Sequence, residues 1–187
     1  STPKPSSAAS DVYKRQGGYG VSLMNDCKYG YSMKDRVITQ TLIKSGTEPN
    51  LTADQEEHFF TYSLYPHAGT WREAGTVQEA LNLNVPAKAV SSAAEKDRME
   101  FLSVDKRNVV LETVKKAEDG DGIIVRLYEV ENARTKVTLY CADAILSAEE
   151  TNLLEQPVES AIDVKENEIS LTIKPYEIRT IRIRTTK

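Results

Sequence analysis

The alternation of apolar and polar positions predicts short β-strands in the first part of the chain. Residues 21–24 alternate with the period of a strand, and residues 37–43 are rich in β-branched and apolar side chains. Residues 58–65 predict a third strand, which we expect Pro66 and Gly69 to end. Three strands are too few to close a β-sandwich by themselves.

One short helix interrupts this β pattern. Thr76 stands directly before Val77, and Glu79 follows three positions after Thr76, a spacing that predicts a capping box. Pro86 is expected to end the element because proline cannot continue a helix. The small and apolar residues at helical spacing are Ala74, Val77, Ala80 and Leu81.

A second run of strands follows Met99, with turn signals at regular intervals. Segments 108–115 and 123–130 predict a hairpin across the turn at 119–122. Further alternation occurs at Val137, Leu139, Cys141, Ile169, Leu171 and Ile173. This arrangement is typical of an antiparallel β-sandwich, so the predicted fold class is all-β with one short helix.

The last strand carries a change of phase. Ile178 lies three positions before Ile181 and five before Ile183, so strict alternation would put it on the opposite face, which predicts a β-bulge at Thr180.

Three regions can be distinguished along the chain. Residues 1–16 are rich in Ser, Ala, Pro and Lys, and we expect a disordered segment derived from a cloning or sequencing adaptor. A natural disordered tail is the alternative, and in either case we expect the protein to extend upstream. Residues 17–95 are expected to be the C-terminal part of a larger β-sandwich. Residues 96–187 are expected to form a small C-terminal β-sandwich.

Composition and charge exclude some function classes. The net charge of −4 argues against a nucleic-acid-binding face, and no apolar run reaches the length of a membrane span. Cys27 and Cys141 are far apart in sequence, so we expect reduced thiols, although a disulfide is possible. Reduced thiols and the absence of a signal peptide pattern favour a bacterial cytoplasmic protein.

Acidic pairs and histidines are the residues of this chain that could act as catalytic or metal-binding groups. A retaining glycosidase needs two carboxylates about 5–5.5 Å apart. We interpret the pairs in this chain as solvated surface groups, with Glu149 and Glu150 in a turn. A metal site within the chain is not expected, because His58 and His67 are its only histidines. We expect His67 to make local hydrogen bonds. The acidic pairs are Glu56–Glu57, Asp119–Asp121 and Glu149–Glu150.

Aromatic side chains offer candidate carbohydrate contacts, because the C–H face of a pyranose is apolar. Residues 28–31 predict a turn in which Gly30 is free to take a positive φ, and this turn would display Tyr29 and Tyr31. Tyr62 and Tyr65 fit ordinary strand packing instead, and Trp71 is a further candidate.

Several segments resemble one known family in the same order. Residues 25–31 (NDCKYGY) and 65–71 (YPHAGTW) are similar to α-mannosidases of glycoside hydrolase family 38, of the bacterial type. Five later segments are also similar: 101–105 (FLSVD), 109–120 (VVLETVKKAEDG), 125–129 (VRLYE), 150–155 (ETNLLE) and 174–180 (KPYEIRT). The resemblance covers nearly all of residues 17–187.

This resemblance implies a metal-dependent, retaining α-mannosidase that removes terminal α-mannosyl residues. In the family, the aspartate nucleophile and a zinc or other divalent cation lie in an upstream β/α domain, which this chain does not contain. The resemblance therefore implies a remnant of a galactose-mutarotase-like supersandwich plus a small C-terminal sandwich, supporting that domain. No catalytic residue and no metal ligand is expected in this chain, and the fragment alone is predicted to be inactive.

The resemblance also suggests substrate contacts. Lys44 stands where relatives usually carry arginine, and it keeps the positive charge but loses the bidentate fork. Asn25 and Asp26 offer oxygen acceptors for sugar hydroxyls, and Tyr29 or Tyr31 offers a stacking face. We expect these residues to line the rim of the mannose cleft, since packing does not demand polar side chains at a turn.

A second function class stays open at this point. A stand-alone carbohydrate-binding or adhesion module would show the same β pattern without any catalytic residues. The expected partners of the mannosidase are α-mannosides and the upstream domain of the same polypeptide, with a homo-oligomer also possible. Neither nucleic acid nor a membrane is an expected partner.

Overall fold

In a computed structural model of the protein, residues 10–12, 18–35, 37–91, 99–160 and 162–186 are described. The chain divides into two compact units, here called unit 1 (residues 3–91) and unit 2 (residues 92–187). The boundary expected at residue 95 lies within residues 92–98, outside the described part. The predicted fold class is confirmed, because antiparallel strands dominate both units and the described residues hold a single helix.

Unit 1 contains a three-stranded antiparallel sheet, a separate hairpin and the helix. The sheet has the strand order β1–β2–β5, and the hairpin joins β3 to β4. These elements are β1 (Ser10–Val12), β2 (Tyr19–Asn25), β3 (Gly30–Lys34), β4 (Val37–Thr41), β5 (Tyr62–Ala68) and α1 (Thr76–Asn84). Strand β1 lies within the segment expected to be disordered, and the other residues of 1–16 lie outside the described part.

Two of the predicted strand positions are confirmed, and the third needs correction. Strand β5 starts later than predicted and runs through Pro66, which pairs with Val21. Proline is tolerated there because β5 is at the edge of the sheet, where one side of the strand needs no hydrogen bonds. Gly69 follows the strand with φ of 69°, so the predicted break at this residue is confirmed. Gly30 has no positive φ and instead begins β3.

The predicted helix is confirmed, but its predicted capping box is wrong. Gly75 occupies the N-cap position with φ of 66°, and no side chain caps the helix. Thr76 is the first helical residue, and its hydroxyl lies 3.0 Å from the Ser22 hydroxyl on β2. The threonine is therefore used to fasten the helix to the sheet, with Ala80 buried on the same side.

Unit 2 is built from two four-stranded antiparallel sheets, with strand orders β10–β13–β8–β7 and β11–β12–β9–β6. Its strands are β6 (Leu102–Val104), β7 (Val109–Lys116), β8 (Ile123–Glu129), β9 (Thr135–Cys141), β10 (Ile145–Thr151), β11 (Asp163–Lys165), β12 (Glu168–Ile173) and β13 (Ile178–Thr185). Side chains from both sheets form one aliphatic core, as expected for a sandwich. The buried core residues are Val109, Val125, Leu127, Val137, Leu139, Ile169, Leu171, Ile173, Ile181 and Ile183.

The hairpin predicted around residues 119–122 is confirmed as β7 paired with β8. Gly122 has φ of 85°, and a Cβ atom at this position would lie 2.5 Å from the carbonyl oxygen of Ile183. Both the conformation and the close approach therefore require glycine at the end of the turn.

The β-bulge predicted at Thr180 is wrong. Strand β13 pairs with β8 without a register shift, so Ile178 simply lies on the face opposite Ile181. Arg182 lies on the same face as Ile178 and is buried by its ion pairs. Burial along this strand therefore does not follow the alternation of apolar and polar residues in the sequence. The irregularity lies in β10, between Ile145 and Ser147.

The thiol prediction is confirmed, since both cysteines are free. Cys27 is exposed and Cys141 is buried. Among the described residues, no helix has the length and apolarity needed to cross a membrane.

Candidate functional site

The loop after β2 is organised by the side chain of Asn25. This residue is 0% exposed, its Oδ1 accepts a hydrogen bond from the Lys28 amide at 2.6 Å, and its Nδ2 donates to the Tyr31 hydroxyl. The Asn84 side chain donates to the Asn25 carbonyl at 3.1 Å, which ties the end of α1 to the loop. The expectation that packing makes no demand here is therefore wrong for Asn25, whose amide is occupied within the unit.

Asp26 joins the same loop to the segment that leads into β5. Its Oδ2 accepts a hydrogen bond from the Thr61 amide at 2.9 Å, and its own amide donates to the Thr61 carbonyl at 3.1 Å. Hydrogen bonds from the Cys27 thiol and the Thr61 amide lower the pKa of Asp26 below its ordinary value. The ionised carboxylate joins two segments that are distant in sequence.

The two loop tyrosines have different surroundings. Tyr29 is 60% exposed, and its hydroxyl makes only a long contact of 3.5 Å with the Asp26 carbonyl. Tyr31 lies on β3, where burial raises the pKa of its hydroxyl. Of the two, Tyr29 has a ring that a ligand could reach, whereas Tyr31 is engaged with Asn25.

Lys44 lies three residues beyond the end of β4 and is exposed. No hydrogen bond or ion pair joins its ammonium group to another described residue. The charge is available to an incoming ligand, but unit 1 does not fix its position.

A row of three hydrogen-bonded polar side chains, here called the buried polar chain, lies on the inner face of the sheet of unit 1. Ser22 Oγ is 3.1 Å from His67 Nε2 and 3.0 Å from Thr76 Oγ1, and all three residues are buried. A side chain at Gly20 would overlap the His67 ring, so glycine is required beside it. The prediction of a hydrogen-bonding role for His67 is confirmed. Ser22 is sealed from solvent, so the pair fastens β2 to β5 and α1 rather than facing a substrate.

The outward face of this sheet carries an apolar strip that the sequence pattern did not indicate. Cross-strand pairing and alternation place Tyr19, Leu23, Tyr62 and Leu64 on one face. Tyr19, Tyr62 and Leu64 are each more than half exposed. The expectation that Tyr62 is packed in a core is therefore wrong within this unit. We call Tyr19, Tyr62 and Leu64 the outer strip.

The acidic pairs of unit 2 are engaged in ion pairs. Glu149 and Glu150 lie on β10, not in a solvated turn, so that prediction is wrong. Glu150 pairs with Arg179 through both oxygens, and Glu149 lies 3.0 Å from Arg184. Their arginine partners are about 30 residues or more away in sequence, a pairing that no local pattern indicates.

The turn of the β7–β8 hairpin continues this charge network. Asp119 lies 2.6 Å from Arg182, and Asp121 lies 2.8 Å from Arg184. Hydrogen bonds from these arginines lower the pKa of each aspartate. Both aspartates are nevertheless more than half exposed, as expected of solvated groups, and their ion pairs are an addition to that expectation. Glu56 and Glu57 are exposed in a loop, also as expected.

Metal binding finds no support in the described part of the chain. No group of three or more His, Cys, Asp or Glu side chains there could hold a metal ion. The divalent cation implied by the family resemblance does not fit these residues.

Comparison with known proteins identifies the relatives of this chain. Residues 108–181 match the family model described as the glycosyl hydrolases family 38 C-terminal β-sandwich domain. The chain is 34% identical to human alpha-mannosidase 2C1 over 170 residues and 36% identical to alpha-mannosidase G of Dictyostelium discoideum over 175 residues. Each match covers 88% of this chain and 16% of the relative, so the chain spans about one sixth of their length.

Solved structures show the same fold within longer chains. A family 38 glycosyl hydrolase from Enterococcus faecalis aligns over 95% of this chain and 22% of its own, with 23% identity and a TM-score of 0.71. An α-mannosidase from Enterococcus faecalis V583 aligns with a TM-score of 0.72, also at 23% identity, over 95% of this chain and 21% of its own. The chain therefore belongs to the C-terminal β region of glycosyl hydrolase family 38, with its C-terminal β-sandwich domain at residues 108–181.

Proposed function

We propose that this chain is the C-terminal β region of a metal-dependent, retaining α-mannosidase that hydrolyses terminal α-mannosyl residues. The observation that carries the proposal is the 34–36% identity to two α-mannosidases across 88% of the chain. Since the chain spans 16% of these relatives, the reacting groups belong to a catalytic domain elsewhere in the polypeptide.

The acidic groups of unit 2 are consistent with this division of labour. A retaining glycosidase uses a nucleophile and an acid–base carboxylate about 5–5.5 Å apart. The acidic pairs on β10 and on the 119–122 turn are instead neutralised by Arg179, Arg182 and Arg184. Their role in the proposal is to hold unit 2 rigid, while the catalytic domain supplies the carboxylate pair and binds zinc or another divalent cation.

The outer strip supports a scaffolding role for unit 1. An exposed apolar sheet face is costly in water, and each large side chain gains about 1.5–3 kcal/mol on full burial. In the proposal, further strands of the same polypeptide cover Tyr19, Tyr62 and Leu64, so that residues 17–95 complete a larger sandwich. These neighbouring strands and α-mannosides are the proposed partners, and the proposed location is the cytoplasm.

The rim of the mannose cleft is the proposed site of contact with substrate. Tyr29 has an exposed ring that can stack on a sugar face, and Lys44 carries a charge that can donate hydrogen bonds to sugar hydroxyls. Asn25, Asp26 and Tyr31 remain part of this rim, but their hydrogen bonds within unit 1 give them the task of holding the loop in place.

The test is to express the chain alone and the longer polypeptide encoded by its full reading frame. We expect the longer polypeptide to hydrolyse an aryl α-mannoside and to lose this activity with a chelator. We expect the 187-residue chain to show no turnover with or without zinc. Turnover by the chain itself would contradict the proposal. Calorimetric binding of mannose or mannobiose by the isolated chain would favour a stand-alone carbohydrate-binding module.

A further inference from the structure

The turn between β10 and β11 is closed by its own hydrogen bonds. Asn152 Oδ1 accepts hydrogen bonds from the amides of Leu154 at 2.9 Å and Gln156 at 3.0 Å. The Asn152 amide donates to the Gln156 carbonyl at 2.9 Å, and the Glu155 amide donates to the Asn152 carbonyl at 3.0 Å. We call residues 152–156 the leucine turn. Its backbone is held in one conformation without help from a partner.

The leucine turn is also fastened to the sandwich by a buried carboxylate. Glu155 has φ of 63° and is only 7% exposed. Its carboxylate lies 2.8 Å from the Lys115 ammonium and accepts a hydrogen bond from the Glu118 amide at 2.8 Å. Arg182 donates to the Glu155 carbonyl at 3.3 Å. These contacts join the turn to the β7–β8 hairpin and to β13.

This rigid frame presents two adjacent leucines to solvent. Leu153 is 58% exposed and Leu154 is 78% exposed. A single exposed leucine needs no explanation, because much of any protein surface is apolar. Two neighbouring leucines on a pre-organised turn are different, since the backbone ordering cost of binding is already met.

We propose that the leucine turn is a docking element that inserts Leu153 and Leu154 into an apolar pocket on another segment of the same longer polypeptide. The proposal rests on the proposed function, which requires that longer polypeptide. The carboxylate of Glu155 is neutralised internally by Lys115, so the pocket needs apolar groups rather than a basic one.

The small area of the contact favours a tethered occupant over a separate protein. Stable complexes between separate proteins bury about 800 Å² on each partner, and two leucine side chains supply a fraction of that area. A segment of the same chain is present at high effective concentration, so a small contact is sufficient to fix its position. The relatives, of which this chain spans 16%, have ample further sequence to supply the pocket.

Hydroxyl-radical footprinting measures the exposure of the two leucines directly. We expect Leu153 and Leu154 to be oxidised at least about fivefold more slowly in the longer polypeptide than in the 187-residue chain, since contact excludes water from both side chains. Leu146 on β10 is 69% exposed and serves as the internal control, whose oxidation rate we expect to stay unchanged.

A variant separates docking from folding. The double substitution L153S/L154S should leave the melting temperature of the 187-residue chain unchanged, because both side chains are exposed there. In the longer polypeptide, it should raise the rate of proteolysis, whereas L146S should not. Equal effects of the two variants would contradict a specific docking role.

The outcomes also distinguish this proposal from the proposed function. An inactive longer polypeptide with protected leucines would refute the proposed mannosidase and keep the docking element. An active one in which both leucines are oxidised as fast as in the chain alone would overturn the docking element. Protection that appears in the chain alone as its concentration rises would indicate a second copy and would also overturn it.

Discussion

The two units differ in what they bury. Unit 2 encloses ten buried aliphatic residues between two sheets. Its ion pairs between elements distant in sequence include those of Lys115, Arg179, Arg182 and Arg184 with carboxylates. In unit 1, the buried apolar residues among those described are Leu23, Met24 and Ala80, while the outer strip faces water. A small sheet that leaves three large apolar side chains exposed on one face is incomplete, whereas a closed sandwich is self-sufficient.

Truncation of a core side chain should reveal this difference between the two units most strongly. Ile181 is fully buried in unit 2, so Ile181→Ala should lower the free energy of unfolding of that unit by about 2–5 kcal/mol. Leu64 is exposed in unit 1, so Leu64→Ala should change the free energy of unfolding of unit 1 by no more than about 0.5 kcal/mol. Urea unfolding of both variants measures the difference. Similar losses would show that the outer strip is packed in the isolated chain.

Acid should weaken unit 2 through Glu155. The Lys115 ammonium and the Glu118 amide lower the pKa of this carboxyl group. Its contribution to stability is therefore present above the ordinary glutamate pKa of about 4.3 and is lost as the pH falls through the lower folded value.

Denaturation midpoints measured across the acid range should show this loss. Glu155→Gln should lower the midpoint at pH 7 and flatten the acid dependence. Glu159→Gln, at an exposed side chain of the same unit, is the matched control and should do neither. An unchanged acid profile in Glu155→Gln would rule out this carboxylate as a source of the pH dependence.

The buried polar chain gives unit 1 its own sensitive point. Ser22→Ala removes a hydrogen-bond partner from both His67 and Thr76, and leaving a buried polar group unsatisfied costs about 1–3 kcal/mol. Hydrogen exchange of β2 and α1 should become faster in this variant. Ser32→Ala, on the exposed hairpin, should leave the exchange of those elements as it is. The same response to both substitutions would show that the hydrogen bonds of Ser22 with His67 and Thr76 do not hold unit 1 together.

The smallest predicted effect concerns the substrate rim. In the longer polypeptide, Lys44→Ala should reduce kcat/KM by at least about tenfold, or about 1.4 kcal/mol of transition-state binding, without a change in stability. Lys34→Ala, another exposed lysine of unit 1, is the control. Asp26→Ala should also lower kcat/KM, but with a loss of stability, because Asp26 bonds to Thr61. Unchanged kinetics at Lys44 would reduce this face to a scaffold.

Much of unit 2 could be predicted because its strands obey simple alternation around a two-sided core. Residues 137–141 and 169–173 alternate in sequence and in burial alike. Prediction failed where a distant partner decides the outcome. The burial of Arg182 and the ion pairs of Glu149 and Glu150 depend on strands that are remote in sequence.

The errors in unit 1 have the same origin. Pro66 was expected to end a strand, but its tolerance depends on β5 being at the sheet edge. Thr76 was expected to cap the helix, but Ser22 on β2 binds its hydroxyl instead. Packing was expected to make no demand on Asn25, but Lys28, Tyr31 and Asn84 bond to its polar groups. Residue types therefore located a polar loop without revealing which groups were already bonded.

Limited proteolysis of the 187-residue chain tests most directly whether one unit is complete and the other is not. Because unit 1 has few buried apolar residues and an uncovered sheet face, we expect the early cleavages to fall within residues 17–91. A fragment containing residues 100–187 should persist, and mass spectrometry would identify it. Equal protection of the two units, or earlier cleavage within unit 2, would contradict the account.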